Sequence, residues 1–246
     1  MMLDSHPEIA GAGELKFLFR EDGNTCAFCG EDCPVWTRER RAAVTHDNLF
    51  EASASAYRKP LVCDSSKSWG HFVEVGPALS RIPSSLLLLV KHPIRHVSSF
   101  LEKARRFDNM AALNDIEAVL KTLLDGYDAA MSKLSIDTVV RYEDLAVRPR
   151  EVLAGIVSPL GVAYTPEMER WVEKVHHHIG GNAGPRFQSA RHIKPVGDFL
   201  ERKYQETGVF VDDTYREILG GEEIDRIGSH PWTIEICRRF GYDVEL

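Results

Sequence analysis

Leu86-Leu87-Leu88-Leu89-Val90-Lys91-His92-Pro93-Ile94-Arg95-His96-Val97-Ser98-Ser99 is the stretch on which the fold turns. Five apolar residues make a strand-sized run. A cation closes it, Pro93 turns the chain, and a helical pattern with two early hydroxyls follows. In open α/β sheets ligands gather beyond the carboxyl ends of the strands, and a helix N-terminus placed there offers N–H groups and a positive dipole end to an anion. A phosphate suits such a place. Lys91 and Arg95 would bring charge to it, and Ser98 or Ser99 would donate to its oxygens. Taken alone, the stretch reads equally well as an exposed basic turn ahead of an ordinary helix.

Outward from it, short apolar runs alternate with longer helical patterns, the mark of an α/β chain. Leu61-Val62-Cys63, Leu86 to Val90 and Thr138-Val139-Val140 read as parallel strands apolar on both faces, as for strands covered on both sides. Helices are expected over Asp47–Tyr57, Val97–Phe107, Ile116–Leu134, Pro149 to about Leu160 (closed by Gly161), and Trp232–Phe240 (ended by Gly241). Met1-Met2-Leu3 passes directly into Asp4-Ser5-His6-Pro7, which reads as a helix end and turn. No repeat or linker divides the 246 residues, so a single domain over 1–246 is expected. The longest apolar run is far short of the 18 or so residues of a membrane span, and no secretory leader is visible. Thirty Lys and Arg against 37 Asp and Glu give a net charge of −7, which disfavours nucleic acid and anionic membranes as partners. An anion would therefore be held by a local cluster. Five cysteines fit a reducing compartment better than a disulfide scaffold, so a cytoplasmic setting is expected.

Three further motifs bear on chemistry. Asp64-Ser65-Ser66-Lys67 follows a strand, with Asp64 able to cap the next turn and Lys67 able to reach a ligand; by itself it is an ordinary strand-end turn. Arg141-Tyr142-Glu143-Asp144-Leu145 reads as a structural corner, its carboxylates directed to backbone N–H groups or arginines. Cys26-x-x-Cys29-x-x-x-Cys33 has spacing that would suit zinc with a fourth ligand such as His46 or His71. No second Cys-x-x-Cys or His-x-x-x-His stands nearby, so these cysteines are read as structural and no metal is expected. His176-His177-His178, on a helix, would point in different directions and is read as a helix-end basic patch.

In order and spacing these pieces resemble the sulfotransferases that use 3′-phosphoadenosine 5′-phosphosulfate (PAPS), in their bacterial branch related to the tyrosylprotein and carbohydrate enzymes. Lys91-His92-Pro93 through Ser99 is similar to the family's 3′-phosphate element, with lysine where arginine is usual. A lysine cannot copy a bidentate guanidinium, and Arg95 is the candidate to compensate. Asp64-Ser-Ser-Lys67, Arg141-Tyr-Glu-Asp-Leu145, Gly180-Gly181-Asn182 with Arg186 and Arg191-His192-Ile193-Lys194, and Leu3-Asp4-Ser5-His6-Pro7 with Gly13-Glu14 resemble its other segments. The resemblance implies a P-loop-NTPase-like three-layer α/β fold with a parallel sheet. In the family a strand and a glycine-rich 5′-phosphosulfate loop precede the Leu-Asp-x-His-Pro turn. Here they are expected to be missing, through truncation rather than degeneration.

The resemblance further implies transfer of a sulfuryl group from PAPS to a hydroxyl or amine of a small molecule, sugar or peptide. Adenosine 3′,5′-bisphosphate (PAP) would be the product, and no metal would be required. Glu14 is the candidate general base, though as a residue it equally suits the start of a helix over Leu15–Phe19. Lys67 would stabilise developing charge, and Lys91, Arg95, Ser98, Ser99 and Arg186 would hold the nucleotide. The competing readings are a non-catalytic nucleotide- or partner-binding remnant and, more weakly, a nucleotide kinase, for which no Walker-type loop is present.

Overall fold

The computed structural model describes residues 1–20, 24–105, 114–181, 209–211 and 213–244. In chain order the strands are β1 (Ile9–Gly13), β2 (Leu61–Asp64), β3 (Leu87–Val90) and β4 (Thr138–Arg141). The α-helices are α1 (Arg38–Ala42), α2 (Leu49–Tyr57), α3 (Trp69–Glu74), α4 (Gly76–Leu79), α5 (Pro93–Ala104), α6 (Ile116–Lys133), α7 (Tyr142–Val147), α8 (Pro149–Val157), α9 (Tyr215–Ile218), α10 (Gly221–Gly228) and α11 (Pro231–Phe240). Helices and parallel strands together make the mixed α/β class expected from the sequence. The chain forms two compact units, Met1–Ser84 with Pro149–Val209, and Ser85–Arg148 with Phe210–Leu246.

In the first unit β1 pairs in parallel with β2, Ile9 opposite Leu61 and Gly11 opposite Cys63, with an irregularity before Gly13 meets Asp64. The strand Ile9-Ala10-Gly11-Ala12-Gly13 has too few large apolar residues to announce itself. It is nonetheless buried throughout, because small residues let neighbouring segments approach its backbone closely. The stretch before it is a short 3-10 helix, Leu3–Ser5. Asp4 folds over the strand: its Oδ1 accepts from the Gly11 N–H at 2.8 Å, and a Cβ on Gly11 would lie 2.5 Å from the Asp4 Cβ. The core here gathers Leu15, Trp36, Leu49, Val75 and Ile179.

In the second unit β3 and β4 pair in parallel, Leu87 opposite Thr138 and Val90 opposite Arg141. Val90 and Leu88 face a core built from Ile94, Val97 and Leu101 of α5, Val119, Leu120 and Leu123 of α6, and Ile236 of α11. Helix α6 spans nearly the expected range, with Asp115 capping it through the Ala118 N–H. Helix α5 begins four residues earlier than expected, since Pro93 takes the first turn, where its missing N–H costs nothing. The expectation of strands covered on both faces fails here. The alternate face carries Leu87, Leu89 and Val139 at 38%, 55% and 42% exposure, because among the described residues the helices of this unit pack against the face bearing Leu88 and Val90.

Gly13 ends β1 with φ +82°, and a Cβ there would come within 2.4 Å of the Ile179 carbonyl oxygen. Both the backbone angle and the close approach demand glycine. Gly13→Ala is expected to destabilise the chain by about 1–3 kcal/mol or more, read as a lowered urea midpoint. An unchanged midpoint would contradict the packing described.

Candidate functional site

Two clusters stand at strand ends, one in each unit. In the first, β1 runs into Glu14 and β2 runs into Asp64. Asp64 is fully engaged in holding the turn. Its Oδ1 accepts from the backbone N–H groups of Leu15 and Ser66 and from the Ser66 hydroxyl, and its Oδ2 lies 2.8 Å from His71 Nε2. Ser65 N–H donates to the Gly13 carbonyl and Ser66 Oγ accepts from the Lys16 N–H. The Asp-Ser-Ser turn thus locks the end of β2 to the segment leaving β1. It also presents Lys67 to Glu14, with Nζ 2.7 Å from Oε1, while Lys16 Nζ sits 3.1 Å from Oε2. Glu14 is buried and Lys67 largely exposed. Burial opposes ionisation of Glu14, but the hydrogen bonds and charges of the two lysines outweigh it and hold the carboxyl below the ordinary glutamate value. Glu14 also stands at the start of the 3-10 helix Leu15–Phe19, with no side-chain capping bond of its own.

In the second unit the strand β3 hands over to α5 through Lys91 and His92. Lys91 Nζ donates to Ser99 Oγ at 3.3 Å, and the Ser99 hydroxyl donates to the Arg95 carbonyl at 3.0 Å. The ammonium lies 5.4 Å from the centre of the Tyr142 ring. Lysine and serine therefore face each other eight residues apart, with Ser99 one helical turn beyond Arg95 on the same side of α5.

Ser98 does not join them. It falls on the core stripe with Ile94, Val97 and Leu101 and is buried, so the expectation that it lines the rim is corrected by helical periodicity. Arg95 is taken up by carboxylates, its Nη2 2.6 Å from Asp213 and its Nη1 3.7 Å from Glu143. The amides on either side of Pro93 are engaged as well. Pro93 has none, Ile94 N–H donates to the His92 ring at 3.3 Å, and His92 N–H donates to Glu143 at 3.1 Å. Glu143 also accepts from Tyr242 at 2.7 Å. Asp144 pairs with Arg141 and Arg148, so this corner is structural. Arg186 lies outside the described residues, as does Arg191 to Lys194.

The histidine run departs from the sequence reading. Residues 175–178 are not helical, and in an extended chain successive side chains alternate. His176 and His178 both turn to Asp4, with Nδ1 and Nε2 at 2.5 and 3.1 Å from Oδ2. His177 turns the other way, its Nδ1 3.3 Å from Cys29 Sγ and 3.5 Å from Cys33 Sγ. Neither histidine offered as a fourth ligand is there: His71 is bound to Asp64, and His46 stacks on Phe19. Alternation along an extended run is the signal that separates these histidines.

The described residues form no helix long and apolar enough to cross a membrane. No family model and no curated relative matches the sequence. Among solved structures, the sulfotransferase domain from the curacin biosynthetic pathway superposes with a TM-score of 0.65 at 16% identity, covering 98% of this chain and 92% of its own. The fold is shared. The sulfotransferase domain from the Synechococcus PCC 7002 olefin synthase matches at a TM-score of 0.46 and 20% identity, over 78% of this chain and 62% of that one.

Histidines in the second unit give it an acid sensitivity. Burial holds His92 below the ordinary histidine value. Burial, with Lys91 and Lys103 adding to it, takes His96 down to about 3. The unfolded chain therefore binds more protons than the folded one between about pH 6.5 and the folded values. The stability these groups contribute is complete above that range and is lost as pH falls through it, by up to about 1.4 kcal/mol per pH unit for each group. The urea midpoint is expected to drop from pH 7 to pH 5, and to drop less in His96→Phe; an equal drop in both would remove His96 from the account.

Proposed function

We propose that the chain transfers a sulfuryl group from PAPS to a hydroxyl or amine of a small molecule, sugar or peptide. The observation that carries this reading is the Lys91–Ser99 pair at the end of β3, in a chain whose fold is that of a sulfotransferase domain. An ammonium and a hydroxyl 3.3 Å apart, beside an aromatic ring, suit a terminal phosphate. The 3′-phosphate of the donor is the phosphate assigned to them. With the His92 and Ile94 amides engaged, the Lys91 and Ser99 side chains would do the holding.

Glu14 would take the acceptor proton as the new O–S or N–S bond forms. Its carboxylate stays ionised near neutrality because two lysines hold its value low, so it is present in the base form but is a weak base until the Lys67 bond is exchanged. Lys67 would then stabilise charge building on the departing phosphate oxygen, whose bond to sulfur breaks. Arg95 would leave Asp213 only if a ligand anion competed for it. A partner-binding or nucleotide-binding role without catalysis is the second reading, favoured by the carboxylates that already occupy Arg95.

Binding of PAP measured by titration calorimetry tests the donor site. Lys91→Ala and Ser99→Ala are each expected to weaken it by about 10-fold or more; equal affinity in both variants and the parent chain would refute the assignment. Transfer of labelled sulfate from PAPS tests the chemistry. Glu14→Gln is expected to lower the rate by about 10²–10⁴-fold while PAP affinity holds. Saturable PAP binding with no transfer to any hydroxyl or amine acceptor would favour the second reading.

A further inference from the structure

We infer that Cys26, Cys29, Cys33 and His177 form a structural zinc site. Their four ligand atoms lie within 4.8 Å of one another. In tetrahedral zinc, bonds of about 2.3 Å to sulfur and 2.0–2.1 Å to nitrogen set sulfur–nitrogen edges near about 3.5 Å. Two of the three such edges here, from Cys29 and Cys33, are 3.3 and 3.5 Å. A thiol–imidazole hydrogen bond does not account for the arrangement. A single such bond pairs Nδ1 with one thiol, whereas two sulfurs face it and the third belongs to the same cluster. One cation satisfies all four atoms at once.

The surroundings are built for sulfur ligands. Backbone N–H groups of Phe28 and Cys29 point at Cys26 Sγ, at 3.4 and 3.5 Å, and the Trp36 N–H points at Cys33 Sγ at 3.3 Å. Amides aimed at sulfur stabilise the thiolate that a metal requires. The turn that brings Cys29 back over Cys26 closes with Gly30 N–H donating to the Cys26 carbonyl at 2.9 Å, and Gly30 has φ +65°. His177 is fixed from behind: its carbonyl accepts from Trp36 Nε1 at 2.9 Å and from the Tyr57 hydroxyl. In the two residues that follow it, Ala27 N–H donates to His178 O and Ile179 N–H donates to Ala12 O. All four ligands come from the protein, so no coordination position is left open for catalysis.

The second group of three, Asp4 with His176 and His178, is a contrast. His176 sets Nδ1 against the Asp4 carboxylate and Nε2 against the Trp171 carbonyl at 2.7 Å. Both its nitrogens already face oxygen atoms of the protein. The zinc site stands independently of the sulfotransferase reading, and its role is to tie residues 144 positions apart.

The chain purified with reductant and without chelator is expected to carry one zinc ion per chain by plasma mass spectrometry. Loaded with cobalt(II) instead, it should show the visible bands of tetrahedral cobalt and thiolate-to-cobalt charge transfer. Cys29→Ser and His177→Gln are expected to weaken zinc binding by more than about 100-fold, whereas Cys63→Ser leaves it unchanged and His177→Cys retains the metal on four thiolates. Chelation should lower the melting temperature of the parent chain and leave that of His177→Gln where it was. Absence of stoichiometric metal together with an octahedral cobalt spectrum would overturn the site, as would a disulfide among the three cysteines or full affinity in His177→Gln. If a variant fails to fold, the cobalt spectrum of the parent chain decides.

Discussion

The first unit depends on how closely the chain at Ile179 approaches the end of β1. Ile179 N–H donates to the Ala12 carbonyl, and its own carbonyl accepts from Glu14 N–H at 2.7 Å. A strand of alanines and glycines makes this approach available. Large side chains on β1 would have given a stronger sequence signal and a wider gap. From this seam hang the Glu14 carboxylate on one side and the histidine run on the other, so the candidate base and the thiol cluster are placed by the same two hydrogen bonds.

The two charged clusters differ in how they are held. Asp64 is saturated by backbone and side-chain donors, which makes the turn around it rigid and leaves Lys67 as the member that reaches solvent. At the end of β3, Lys91 meets the neutral Ser99 hydroxyl at 3.3 Å, a contact that an incoming phosphate can replace. Arg95 would have to leave a 2.6 Å ion pair with Asp213 to do the same, a pair whose carboxylate is largely exposed and which therefore costs little to exchange.

Much of the fold was legible. The tetra-leucine strand, the two other apolar runs and the amphipathic period of α6 rest on burial of large side chains, which sequence pattern records directly. Strand β1 was not legible, because close backbone approach leaves only small residues behind. The charged ends of the strands were legible as residues, but not as partners. Ser98 and Ser99 look alike until the helical phase of α5 separates the buried from the half-buried. Whether Arg95 is available depends on Asp213, 118 residues away. The proposed zinc ligands show the same limit: the spacing offers three thiols that the sequence alone reads as structural, and the fourth ligand comes from a distant segment whose extended conformation no local pattern announces.

That extended conformation constrains the chain in a further way. His176 and His178 serve Asp4 while His177 serves the sulfurs, because neighbours on an extended backbone face opposite sides. Deleting or inserting a single residue just ahead of the run would swap the two allegiances, presenting a pair of imidazoles to the thiols and only one to the carboxylate. Length here can drift in steps of two but not of one, so the parity of this short stretch is as much a part of the design as the identity of its residues.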